Sequence, residues 1–142
     1  MYKKFREISS SCFVLSALFL SVSYSQSINY LSPSSGQEGV NDLQVYLYAS
    51  GVNFYDAYSY PGTPTGVSFS GGGIYANNLQ VVNSQTVKFD VDISQNTSLT
   101  SRDVTLQTYQ MWSGNYNIYG PGNEFTVTES SVANSEITSI DP

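Results

Sequence analysis

The stretch TVKFDVDI, residues 86–93, alternates apolar and polar side chains over most of its length. Successive side chains of a β-strand point to opposite faces, so this alternation predicts a strand with one face in an apolar core and the other toward water. The inward residues are Val87, Phe89, Val91 and Ile93, and the outward residues are Lys88, Asp90 and Asp92. The pattern is typical of an antiparallel sheet that is packed on one side.

Shorter runs on both sides of this stretch predict further strands. They cover residues 43–48, 66–70, 79–82, 103–108 and 124–128. Gly, Pro, Asn and Ser separate them, as short turns require. No stretch after residue 26 shows helical periodicity over more than about two turns. The sequence therefore predicts an all-β fold, a β-sandwich of short strands.

The N-terminus has the features of a secretory signal peptide, predicted to span residues 1–25. A basic start is followed by an apolar run, residues 12–20, and small residues precede a cleavage point after Ser25. The run is shorter than the roughly 20 residues that a membrane-spanning helix needs. We therefore expect cleavage and secretion to the cell surface or medium, and no membrane insertion afterwards.

The composition of the mature chain excludes several classes of function. Cleavage leaves Lys88 and Arg102 against ten carboxylates, a net charge of about −8. Phosphate contacts need Lys and Arg, so nucleic acid is not an expected partner. The chain has no His, and Cys12, its only Cys, lies in the segment to be removed. The commonest general base, thiol chemistry and most transition-metal ligands are then missing.

No enzyme activity, cofactor or metal is predicted, although one carboxylate pair leaves an alternative open. Asp90 and Asp92 point the same way on one strand, about 7 Å apart. This pair could serve a glycosidase, and a calcium site from Asp90, Asp92 or Asp56 is a further alternative. A solvated sheet face that discourages edge pairing is the favoured interpretation of the two carboxylates.

Several short motifs, in order, resemble IPT/TIG domains, the immunoglobulin-like modules of plexins, transcription factors and bacterial extracellular proteins. They are Pro33-x-x-Gly36, Gly51-x-Asn53-Phe54, Val67-x-Phe69, Arg102-Asp103-Val104 and the closing strand at Phe125. The resemblance covers residues 28–129. It implies an immunoglobulin-like antiparallel β-sandwich of about seven strands, which we place at residues 26–129.

The residues of these motifs have readable physical roles. Gly51 and Asn53 tolerate positive φ and are expected to turn the chain, while Phe54 enters the core. Pro33 is expected to end the first strand, where its missing N–H does least harm. Arg102 and Asp103 are expected to form a solvated pair at a corner of the sheet.

Residues 130–142 are predicted to be a linker followed by a strand, because Ile137–Pro142 echoes the spacing of Ile28–Pro33. This strand could open a following module in a tandem array. Alternatively, it could add to a sheet edge of a neighbouring copy.

Two aromatic-rich segments, residues 55–64 and 109–122, depart from the family pattern and are expected to be loops. Their candidate contact residues are Tyr55, Tyr58, Tyr60, Trp112, Tyr116 and Tyr119. Such rings offer flat apolar faces with polar tips, which suit stacking on sugars or anchoring a protein partner. The alternative is that the rings only cap the ends of the sandwich.

The leading hypothesis is a secreted, non-catalytic module that serves as a spacer or as a binding or adhesion unit, with a protein or polysaccharide partner at the cell surface. One alternative is a self-assembling fibre or adhesin subunit that uses strand addition. Another is a carbohydrate-binding module that uses the Tyr/Trp-rich segments.

The signal-peptide hypothesis predicts the mass of the secreted protein. Expression with export should release a chain that begins at Gln26, because peptidase cleavage after Ser25 fits the small residues there. Intact-mass spectrometry of the secreted fraction tests this. A product that retains residues 1–25 would contradict it.

Overall fold

The computed structural model describes residues 25–58 and 60–131. Within them the secondary structure consists of β-strands; no helix is found that could cross a membrane. The strands are β1 (Ser27–Ser32), β2 (Ser35–Gln37), β3 (Leu43–Ser50), β4 (Thr63–Phe69), β5 (Ile74–Asn83), β6 (Thr86–Ile93), β7 (Ser101–Arg102), β8 (Val104–Gln110), β9 (Gly114–Tyr119) and β10 (Phe125–Thr128). The predicted signal peptide, apart from Ser25, and the tail from residue 132 onward lie outside the described residues.

Two layers of strands pack against each other. The first is an antiparallel sheet of order β1-β3-β6-β5. The second contains the sets β4-β8-β9 and β2-β10-β7. Only Asp103 separates β7 from β8, so these two strands continue each other along one line of the layer. We call such a line, whether or not it is interrupted, a strand course. Because the two sets share this course, they form a single layer. The predicted all-β sandwich is confirmed.

The ten strands follow seven courses, because three courses are interrupted. The first course contains β1 and then β2, which moves to the other layer and pairs in parallel with β10. The other interrupted courses are β7–β8 and β9–β10. In chain order, courses 1-2-5-4 form one sheet and courses 3-6-7 the other. This is the strand order of an immunoglobulin-like sandwich.

The core lies between the layers and is filled by the alternate residues of facing strands. In β6 the residues predicted to point inward, Val87, Phe89, Val91 and Ile93, are all at most 1% exposed. Phe69 of β4 connects the layers, since its ring centroid lies 6.4 Å from that of Phe89 and 5.3 Å from that of Phe125. In a chain without disulfides, this aromatic packing supplies much of the contact between the layers.

The change of layer in the first course uses two of the motif residues. Pro33 follows the end of β1, as predicted, and its peptide bond with Ser32 is cis. Gly36 is buried in β2, where a Cβ would lie 2.7 Å from Cδ1 of Ile93. A larger residue at this position would force the two layers apart.

The turn after β3 uses three more motif residues. Gly51 has a φ of +69°, in agreement with its predicted role. Asn53 acts through its side chain rather than through positive φ, because its Oδ1 accepts a hydrogen bond from the backbone N–H of Tyr55 at 3.3 Å. Phe54 is 1% exposed and fills the core, as predicted.

The last course is broken between β9 and β10. Tyr119 of β9 pairs with Thr105. Phe125 of β10 pairs with Arg102. Six positions on this course therefore correspond to three on its neighbour, and the extra residues form a bulge between the two strands.

Two carboxylates hold this bulge in place. Glu124 is 9% exposed, and its two oxygens accept hydrogen bonds from the N–H groups of Val104 at 3.0 Å and Gly122 at 2.9 Å. Asp103 accepts one from the N–H of Asn123 at 2.9 Å. Backbone donors that the interrupted ladder leaves unpaired thus find acceptors on side chains.

Two expectations from the sequence are wrong. Arg102 is not solvated: it is 9% exposed, and its Nη2 donates to the backbone oxygen of Ser98 at 3.0 Å. Residues 109–122 are not one loop, because β8 continues to Gln110 and β9 begins at Gly114. Only residues 111–113 turn the chain between them.

The alternation in β6 predicts that substitutions at neighbouring positions change the free energy of unfolding by very different amounts. Phe89→Ala should lower the free energy of unfolding by about 3–5 kcal/mol, since it leaves a cavity between the layers. Lys88→Ala, on the outer face, should change it by less than about 1 kcal/mol. Urea denaturation followed by circular dichroism measures both. Similar losses for the two variants would contradict the packing described.

Candidate functional site

The two aromatic-rich segments meet at one end of the sandwich. The backbone N–H of Met111 donates to the oxygen of Ala57 at 3.1 Å. Nε2 of Gln110 donates to the backbone oxygen of Tyr58 at 2.9 Å. Oε1 of the same Gln110 side chain accepts a hydrogen bond from Oγ of Ser113 at 2.5 Å. The turn between β8 and β9 is therefore tied to the segment that precedes β4.

Four of the six predicted contact residues come together there. The rings of Tyr58 and Trp112 lie 6.5 Å apart in a tilted arrangement. Those of Tyr60 and Tyr116 lie 4.6 Å apart, edge to face. We call these two ring pairs, together with Met111 of the same turn, the tip patch.

The tip patch is open to solvent at its outer end. Trp112 is 79% exposed, and Tyr58, Tyr60 and Met111 are each about half exposed or more. Tyr116, which contacts Tyr60, is half-buried. Rings that only capped the core would be covered, so for Trp112 and Tyr58 the structure does not support the capping interpretation.

The other two predicted contact residues lie elsewhere. Tyr55 is exposed and donates its hydroxyl to the backbone oxygen of Val82, at 3.0 Å, on the first sheet. Tyr119 is also exposed and lies at the far end of β9, opposite Thr105. The six residues therefore do not form one surface.

Local sequence explains how the segment before β4 presents its rings. Oδ1 of Asp56 accepts a hydrogen bond from the N–H of Tyr58 at 2.9 Å, two residues further on. The same pattern joins Asn53 to Tyr55. Two successive turns of this kind bend the chain without regular structure. They bring the tyrosines out of the sandwich.

Besides Tyr55 and Tyr119, further aromatic residues on the outer faces of the sheets were not singled out from the sequence. Tyr30 and Tyr48 stack with centroids 4.4 Å apart on the outer face of the first sheet. Tyr109 is 44% exposed on the outer face of β8. For Tyr109, only the pairing of β8 with β9 shows that the ring faces outward, and this residue lies in a segment that was expected to be a loop.

The carboxylate pair on β6 has a structural role. Asp92 accepts hydrogen bonds from the N–H of Asp42 at 2.8 Å and from Nδ2 of Asn77 at 2.9 Å. Asp90 accepts one from Nδ2 of Asn78 at 2.8 Å. In the described part of the chain, no three His, Cys, Asp or Glu side chains are grouped so that they could hold a metal ion.

Comparison of the chain with protein-family models, with curated proteins and with solved structures gives no significant match. The tip patch itself offers uncharged aromatic faces, and backbone and amide hydrogen bonds hold the two segments that carry them.

Trp112 reports directly on the tip patch, because it is the only Trp in the chain. Its 79% exposure predicts emission close to that of free tryptophan in water. Iodide should quench it nearly as well in the native protein as in urea. Steady-state quenching, with N-acetyltryptophanamide as the standard, measures this. A blue-shifted, protected emission would show that the patch is closed.

Proposed function

We propose that this chain is a secreted, non-catalytic, immunoglobulin-like module that binds or adheres to a partner at the cell surface through the tip patch. The observation that carries the proposal is Trp112, which is 79% exposed within a cluster of rings. A soluble domain gains nothing in stability from a large apolar ring in water, and such exposed clusters mark contact surfaces.

The hydrogen bonds around the patch support this role. Gln110 joins the turn after β8 to Tyr58, and Met111 joins it to Ala57. A patch that is held in place before contact loses less conformational entropy when a partner binds. Trp and Tyr are also the residues that most often dominate the energy of protein interfaces.

The chemistry of the chain favours binding over catalysis. It has no His, and Cys12 lies in the predicted signal peptide. A serine therefore has no imidazole to activate it as a nucleophile. Asp90 and Asp92, the remaining carboxylate pair, hold neighbouring side chains and backbone. The proposal includes no cofactor and no nucleic-acid partner.

The resemblance to IPT/TIG domains supports a modular role at the cell surface and remains a proposal. The order of the strands is compatible with it. In this proposal the domain occupies residues 26–129. The segment after residue 129 leads into a tandem module or adds to a sheet edge of a second copy. The predicted donor strand, residues 137–140, lies outside the described residues, so no observation favours strand addition over the tip patch.

Adhesion of the labelled protein to cells of the producing organism tests the proposal. Trp112→Ala should weaken adhesion on the order of 30-fold, as the loss of a central aromatic anchor does. Tyr75→Ala is the matched control, because Tyr75 is 63% exposed on β5 of the other sheet. Flow cytometry over a concentration series gives the affinities. Equal adhesion of wild type and Trp112→Ala, or none by the wild type, would contradict it.

A further inference from the structure

The outer face of the β4-β8-β9 sheet differs from the rest of the surface. These three strands contain no charged residue, in a chain of net charge −6. The outer face of the first sheet, by contrast, carries Lys88, Asp90 and Asp92. A neutral face on an acidic protein fits a neutral partner.

Polar side chains cover the middle of this face. Gln107 of β8 pairs with Asn117 of β9, and both point outward. With Thr65 and Asn115 they line a shallow groove of about 330 Å³. We call these four residues, together with Tyr109 and Tyr119, the amide face.

The amides of this groove have unused hydrogen-bonding capacity. Among the described residues, the side chains of Gln107 and Asn115 find no hydrogen-bond partner. Asn117 uses one Nδ2–H, which donates to the hydroxyl of Tyr119 at 3.2 Å. Each primary amide can donate twice and accept twice. The groove therefore presents donors and acceptors side by side.

Glycine makes room for one of these amides. Gly66 lies across from Gln107 in β4, and a Cβ there would be 2.8 Å from Oε1 of Gln107. The amide consequently extends over the neighbouring strand and forms part of the floor of the groove.

Two exposed tyrosines stand at opposite ends of the amide face. Tyr109 is 44% and Tyr119 is 60% exposed. Tyr119 pairs with Thr105, four residues from Tyr109 along β8. At about 3.4 Å per residue, the Cα positions of the two tyrosines are roughly 14 Å apart along the strand direction. The hydroxyl of Tyr119 accepts a hydrogen bond from Nδ2 of Asn117, so this ring lies beside the amides.

From this geometry we propose that the amide face is a binding site for a neutral polysaccharide. Amide groups that both donate and accept match sugar hydroxyls, which also do both. Tyrosine rings pack on the apolar face of a sugar ring while their hydroxyls stay in water. The site is separate from the tip patch and does not depend on it.

Other macromolecules fit this face less well. Nucleic acid needs Lys or Arg, which these strands lack. The buried centre of a protein interface is rich in aromatic residues, Met and Arg, whereas the centre of this face is made of Gln, Asn and Thr. A chain of neutral sugars matches the chemistry of the groove.

Affinity electrophoresis of the purified protein tests the site. Native gels would contain hydroxyethyl cellulose, laminarin or galactomannan as neutral polymers, with alginate as the acidic one. At least one neutral polymer should retard the protein, and alginate should not. Tyr119→Ala and Asn117→Ala should each weaken binding about tenfold, as expected for contact residues.

Two control variants sharpen this test. Tyr119→Phe keeps the ring and should retain binding within about threefold. Tyr75→Ala removes an exposed ring from the other sheet and should bind like the wild type. Circular dichroism confirms that each variant is folded.

Several results would overturn the proposal. They are no retardation by any neutral polymer, retardation by alginate alone, and retardation that Tyr119→Ala and Asn117→Ala leave unchanged. Loss of retardation only in Trp112→Ala would place the sugar on the tip patch. If light scattering shows a dimer that Asn117→Ala dissociates, the face covers a second copy instead.

Discussion

The packing of Phe69 against Phe89 and Phe125 is the contact on which the sandwich depends. The three rings come from β4, β6 and β10, and so from both layers. Phe89 and Phe125 are almost completely buried. No disulfide can replace this packing, because the described chain contains no Cys. The alternation of β6 and its neighbours serves to direct enough apolar area toward this contact.

The break in the last strand course lets one sheet both pack against the core and carry the proposed contact surfaces. Because Glu124 and Asp103 satisfy the backbone of the bulge, β10 can remain in the core while β9 follows its own register with β8. The β8–β9 hairpin carries Trp112 at its turn and the amides of Gln107 and Asn117 on its outer face. Each proposed contact surface thus takes part of its residues from this one hairpin.

Much of this fold follows from local sequence. The alternation of residues 86–93 predicts β6 residue by residue. Gly51 has the positive φ, and Phe54 the buried position, that the sequence predicts. The strand β9 was missed because Asn residues alternate there with Tyr and Ile between two glycines, a composition typical of turns. Its pairing with β8, not its own propensity, makes it a strand.

The site was harder to predict because it depends on contacts between distant residues. The Tyr and Trp candidates were visible in the sequence, but their grouping depends on a bond between Gln110 and Tyr58, 52 positions apart. The burial of Arg102 has the same origin in part, since Gly71, far from it along the chain, lies against its guanidinium group. Likewise, the amide face exists only once the register of β8 and β9 is known.

Hydroxyl-radical footprinting of the protein while it is bound to cells of the producing organism tests the central claim, that the β8–β9 hairpin is the contact element. The account predicts protection of Met111, Trp112 and Tyr119 relative to the free protein. Tyr30 and Tyr75, on the first sheet, should be labelled equally in both states. Protection of those two residues, with the hairpin labelled as in the free protein, would contradict the account.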